Sequence, residues 1–128
     1  MKALAIAALL CLTASSAHAA KWVEITSDAQ ASLAFDAEDI EIRGDQRTAW
    51  TRTVHTKPVR YGETQGVTRL VARTTFDCKA RTFQITRGEM YVSSASEAVP
   101  LEPLGPRAVA GGSLGEQFLV AVCAYRTK

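Results

Sequence analysis

Few side chains in this sequence have the types and spacing that chemistry needs. A Ser-His-Asp or Cys-His site requires a histidine base oriented by a carboxylate. Beyond residues 1–19 the chain has one histidine, His55, beside Thr56-Lys57-Pro58, where an exposed loop imidazole is the simpler reading. Asp36 with Glu38 or Asp39 could form the carboxylate pair of a glycosidase, but the same residues suit an acidic turn between two strands. Gly111-Gly112-Ser113 could seat an anion at a helix N-terminus. Glu116 would already occupy that positive pole. A zinc site needs three or four ligands, and one histidine with two bridged cysteines does not supply them. The residues point away from an enzyme and name no cofactor and no metal.

Arginines carry the more suggestive pattern. Arg69 and Arg73 fall on the same side of one strand, and Arg52, Arg81 and Arg87 could occupy neighbouring ladders. If these sides coincide, the sheet bears a basic stripe with Trp50 or Tyr91 nearby. Such a stripe could hold sulfated glycans, lipopolysaccharide phosphates or acidic patches on a protein partner. The competing reading is an ordinary solvated face whose glutamates neutralise its arginines. The strand from Val67 to Thr75 mixes valines with these arginines, which would also suit strand-edge pairing in a homodimer. Nucleic acid is not an expected partner, because 15 Lys and Arg against 13 Asp and Glu leave a formal net charge of only +2.

The compartment follows from the N-terminus. Lys2 precedes an apolar run from Ala3 to Ala14, and Ala17-His18-Ala19 matches a processing site, so residues 1–19 read as a signal peptide. The run is too short to cross a bilayer unaided, since a span needs about 20 apolar residues. Leu9-Leu10 before Cys11 do not suit lipid attachment. Residues 20–128 would then form a single exported domain with no transmembrane segment, in the periplasm or on the surface of a Gram-negative bacterium. Of the three cysteines, Cys78 and Cys123 would remain in an oxidising compartment and allow one intramolecular bridge. Metal ligation or redox catalysis would call for a CxxC or clustered histidines, which are missing.

The elements that must position these residues are mostly strands. Val23 and Ile25 alternate with Trp22 and Glu24, Leu33 and Phe35 fall together on one face, and Ile40 and Ile42 alternate with Asp39, Glu41 and Arg43. Such period-two alternation marks half-buried antiparallel strands. Arg47 to His55 sets Trp50, Arg52 and Val54 on one side. Thr56 to Gly66, with Pro58 and Gly62, reads as a long hairpin loop. Along Gly66 to Asp77, Thr68, Leu70, Ala72, Thr74 and Phe76 share one face, while Val67, Arg69, Val71, Arg73 and Thr75 share the other. Arg81 to Arg87 returns with Phe83 and Ile85 inward, and Met90 and Val92 follow. The prolines and glycines between Ser93 and Gly112 disfavour regular structure. Ser113-Leu114-Gly115-Glu116 then matches a capping box, and Leu114, Phe118, Val122 and Tyr125 recur at helical spacing. The expected fold is α+β: a meander-like antiparallel sheet of about six strands, with one C-terminal helix packed on it and tied down by a disulfide.

The order of landmarks resembles a known family. Trp22, Phe35-Asp36, Trp50, Phe76-Asp77-Cys78, Gly112-Ser113-x-x-Glu116 and Cys123 together look like the bacterial surface-adhesin protein E family of small exported domains. The resemblance implies an antiparallel sheet with a C-terminal helix held by a Cys78–Cys123 disulfide. Members often carry a tryptophan and a Pro-x-Ser motif before the last helix, which the stretch from Pro100 to Gly112 lacks, and no binding residues carry over. The sequence therefore points to an exported binding module that contacts a host or envelope protein or glycan through a sheet face or loop. A periplasmic accessory protein partnering another envelope protein is the alternative, and a small hydrolase or enzyme inhibitor the weaker one.

Overall fold

A computed structural model describes residues 20–93 and 97–126. The signal peptide expected at residues 1–19 lies outside them. The strands are β1 (Trp22–Ser27), β2 (Ala31–Asp36), β3 (Glu41–Arg43), β4 (Gln46–Tyr61), β5 (Thr64–Asp77), β6 (Thr82–Val92), β7 (Val99–Pro100) and β8 (Leu104–Ala108), followed by helix α1 (Leu114–Ala124). Their order across the open sheet is β1-β2-β4-β5-β6-β7, with β3 paired to β4 and β8 paired to β6. Every pairing is antiparallel. The expected class, sheet, C-terminal helix and disulfide are all present.

Strand parity decides which side chains meet the helix. Leu33 and Phe35 of β2, Ala49 of β4 and Phe76 of β5 are buried against Phe118, Leu119 and Val122 of α1. Tyr125, just past the helix, meets Phe35 edge-on with centroids 5.4 Å apart. A second cluster joins Val67, Ala72, Ile85, Met90 and Leu101. Gly88 faces this cluster, and a Cβ there would run into the Val71 carbonyl oxygen, so β5 and β6 approach closely only because the side chain is absent. Thr51 and Thr74 are buried on the same side. Their hydroxyls hydrogen-bond each other at 3.1 Å, and Thr51 also donates to the Ala72 carbonyl.

The helix is fixed at both ends. Ser113 caps it by accepting the Glu116 N–H at 3.2 Å, and the Glu116 carboxylate reaches back to the Gly112 N–H. The capping box thus closes on Gly112, one residue before the cap itself. At the other end Arg47 of β4 donates to the carbonyls of Val122 and Tyr125, at 3.2 and 2.6 Å. A guanidinium there gives the carbonyls at the helix end a charged donor and opposes the negative end of the helix dipole. Cys123 bonds to Cys78, with the Cα atoms 5.9 Å apart.

Four local expectations change. Thr56 to Gly66 is not a loop: the β4–β5 ladder resumes after a register shift and runs to Tyr61 opposite Thr64, turning at Gly62 with φ +59°. Pro58, which has no N–H to give, falls within that shift. Val67 does not face outward with Arg69. A register shift between the two turns Val67 into the core, where it is 1% exposed. The proline-rich stretch contains the short strands β7 and β8, which tolerate Pro100 and Pro106 as outer partners of β6. Leu114 leaves the buried stripe of α1 and is 39% exposed.

Candidate functional site: the open face of the sheet

Residues of opposite parity point away from the helix. Register places Trp50, Arg73 and Arg87 in one row across β4, β5 and β6. The next row is Ala34, Arg52, Val71 and Glu89, and the row after it Ser32, Val54, Arg69 and Tyr91. Arg52, Arg69, Arg73 and Arg87 therefore do share one face, as the alternation suggested.

Each of these arginines lies over an aromatic ring. The Arg69 guanidinium sits 4.0 Å from the Tyr91 ring centroid, and that of Arg52 sits 4.4 Å from Trp22. Arg87 and Arg73 converge on Trp50 at 5.1 and 5.9 Å. Cation–π attraction at such distances is modest, about 0.5–1 kcal/mol each at exposed sites. Its larger consequence is to fix the direction of a long side chain. Arg52 reaches Trp22 from two strands away, across β2, where its own row carries the small Ala34. Ala34, in the same row as Arg52, is 4% exposed.

Charge is unevenly available across the array. Arg73 is 8% exposed, donates to the Asp39 carbonyl at 2.9 Å and lies 3.4 Å from the Asp39 carboxylate and 3.8 Å from that of Glu41. Its charge is consumed within the protein. Arg69 and Arg87 are exposed and Arg52 is half-buried. Glu24 and Glu89 stand on the same face, and Glu89 accepts the Tyr91 hydroxyl at 3.0 Å. The face is mixed in sign, with its arginines oriented by rings. A depression of about 450 Å³ opens beside Trp50, Val71, Arg87 and Glu89.

Arg81 does not belong to the array. Asp77 accepts the N–H groups of Lys79 and Ala80 in a tight turn, and Arg81 closes it at φ +55°. This left-handed residue stands outside the ladder, and its guanidinium pairs with Glu116 of α1 at 3.0 Å. The other candidates do not belong to it either. Asp36 is 4% exposed and accepts the N–H groups of Lys21 and Glu38, both at 2.9 Å, so it organises a turn. His55 lies on the helix side, opposite Ala31. Among the described residues no group of three or more His, Cys, Asp or Glu is placed to hold a metal ion.

Sequence reasoning named Trp50 and Tyr91 as neighbours of the arginines but left Trp22 out. The available signal was Ala34, a small residue beside Arg52 on the outward parity. A comparison with family models matches surface-adhesin protein E over residues 22–124. No curated protein and no solved structure matches the chain.

Proposed function

The chain belongs to the surface-adhesin protein E family, and from that premise we propose that it is an exported binding module holding a protein or glycan macromolecule against the open face of its sheet. The observation that carries this reading is the seating of four arginines over Trp22, Trp50 and Tyr91. Tryptophan, tyrosine and arginine dominate binding hot spots. A guanidinium already held over a ring loses less rotamer freedom when it binds. Arg52, Arg69 and Arg87 would make the contacts, each able to fork onto a carboxylate, sulfate or phosphate. Arg73, locked by Asp39 and Glu41, would hold Trp50 in place. Arg81, paired with Glu116 on the other side, is not part of this contact set. No catalytic step enters this reading.

Among the described residues no helix is long and apolar enough to cross a membrane. Location is tested by protease shaving of intact bacteria with a periplasmic marker as control. Cleavage while the marker survives supports a surface role, and protection until the outer membrane is opened supports an envelope partner. The contact face is tested in the cell by a photo-crosslinking amino acid at Val54 on the open face or at Val120 on the outer side of α1. We expect a discrete adduct from position 54 alone, lost when Arg69→Glu and Arg87→Glu are added. An adduct that forms equally from position 120, or survives both charge reversals, overturns the reading.

A further inference from the structure

The helix leaves part of its own face of the sheet uncovered. It packs on the cluster around Phe76, while the second cluster lies around Val67 and Met90. Between them a trough of about 340 Å³ runs from Leu114 and Phe118 to the outer arm of the β4–β5 hairpin at Val59 and Tyr61. Its size is within the range of small-ligand sites. Its floor includes Thr51 and Thr74, whose hydroxyls are already committed to each other and to the Ala72 carbonyl. Along that part of the floor a polar occupant would be desolvated with little compensation, whereas an apolar chain would not. Leu114, exposed at the rim without a core partner, gives such a chain a further wall.

The mouth has a different character. The trough shares His55, Val59 and Leu114 with an adjoining depression that reaches Lys57. Arg60 lines the trough itself, and its Nε donates to the Gly62 carbonyl at 2.8 Å, leaving its terminal nitrogens to point elsewhere. The one carboxylate lining the mouth is Asp28, which accepts the N–H groups of Gln30 and Ala31. Two permanent cations therefore flank an apolar trough whose rim acid is already hydrogen-bonded. We infer that this trough binds a single-chain anionic amphiphile, an unbranched acyl chain lying between α1 and the β4–β5 arm with its carboxylate toward Lys57 and Arg60. The inference is independent of Arg52, Arg69 and Arg87, none of which lines the trough or its mouth.

The test titrates dodecanoate, below its micellar concentration, into the full chain purified after export and stripped of lipid on a hydrophobic resin. Dodecyl maltoside and dodecyltrimethylammonium serve as arms with the same chain and other heads. The expected result is one saturable site that takes dodecanoate at least about tenfold more tightly than the cationic arm. Leu114→Glu should weaken it about tenfold or more without lowering the melting temperature, since position 114 is already exposed. Lys57→Gln with Arg60→Gln should abolish the preference among heads and leave dodecyl maltoside binding intact. Arg69→Glu with Arg87→Glu should change none of these values. Absence of saturable binding overturns the site, as does a Leu114→Glu variant that binds normally. Equal binding of all three heads overturns the anionic specificity. Self-association that Leu114→Glu breaks and dodecanoate does not would identify a second copy of the chain as the occupant and overturn the inference.

Discussion

Arg47 and Arg87 show how the two faces of one sheet use the same side chain differently. On the covered face Arg47 turns its guanidinium onto the last carbonyls of α1. On the open face Arg87 rests beside Trp50 and stays exposed to solvent. The threonine pairs differ in burial alone. Thr51 and Thr74 are buried and bonded internally on the covered side, while Thr48 and Thr75 pair hydroxyl to hydroxyl at 2.8 Å, half-buried, on the other. One step along a strand moves a residue from the buried side, under the helix, to the side that solvent reaches. Stability and recognition are thereby divided by strand parity, and a substitution should affect mainly the function assigned to its face.

The largest effect belongs to the bond that ties the helix to the covered face. Cys78→Ser or Cys123→Ser releases a cross-link of sequence separation 45, which the chain-entropy argument values at about 4 kcal/mol. In a domain of this size that corresponds to a fall of more than about 15 °C in melting temperature. Thermal unfolding followed by circular dichroism in an oxidising buffer measures it. The sharper result is what should not change. Below its lowered melting point, the variant should still give the Val54 crosslink, because the open face makes no contact with the disulfide. An unchanged melting temperature removes the staple from the account of stability.

Arg47→Met comes next and tests the contrast directly. It leaves two carbonyls at the end of α1 without a charged donor, a loss of about 1–2 kcal/mol. Arg87→Met on the open face should cost no more than about 0.5 kcal/mol, as exposed substitutions usually do, while weakening the crosslink. Urea unfolding of the two variants side by side gives the comparison. Equal losses would mean that the open-face arginines are structural, and the division by face would collapse.

The assignment of faces was readable in the sequence wherever alternation ran unbroken. Trp50, Arg52 and Val54 on one side of β4, and Leu70, Ala72, Thr74 and Phe76 on one side of β5, follow from period two alone. The start of α1 followed from Ser113 and Glu116, whose capping contacts are local. Misreadings gather where a bulge or turn resets the parity. Val67 changes face because one register shift separates it from Arg69, and alternation carries no mark of an inserted residue. Arg81 looked like a ladder residue, but its backbone is left-handed at the end of the Asp77 turn. The cap on the end of α1 comes from a strand far away in the chain, and nothing local to the helix announces Arg47. Proline and glycine between Thr56 and Gly66 signalled a loop. The outer strand arm that actually forms there is what walls the trough.

The smallest effect lies in the β1–β2 turn, at the rim of the covered face. The Asp28 carboxylate accepts the Ala31 N–H at 2.9 Å and the Gln30 N–H at 2.7 Å. These backbone hydrogen bonds, that of Ala31 foremost, hold its carboxyl below the ordinary aspartate range. A carboxyl that is more acidic folded than unfolded contributes stability above its unfolded pKa and loses it as pH falls through the lower folded value. Asp28→Asn keeps an oxygen for the same two bonds but no charge. Its melting temperature should therefore lie slightly below that of the parent at neutral pH, with the gap closing as pH is taken below the ordinary carboxylate range. A gap that stays constant across that range would assign the loss to side-chain geometry instead of charge. Because Asp28 is on the rim of the trough, the same variant also sharpens the contrast there. Removing the rim acid should tighten dodecanoate, and crosslinking from the open face should be unmoved.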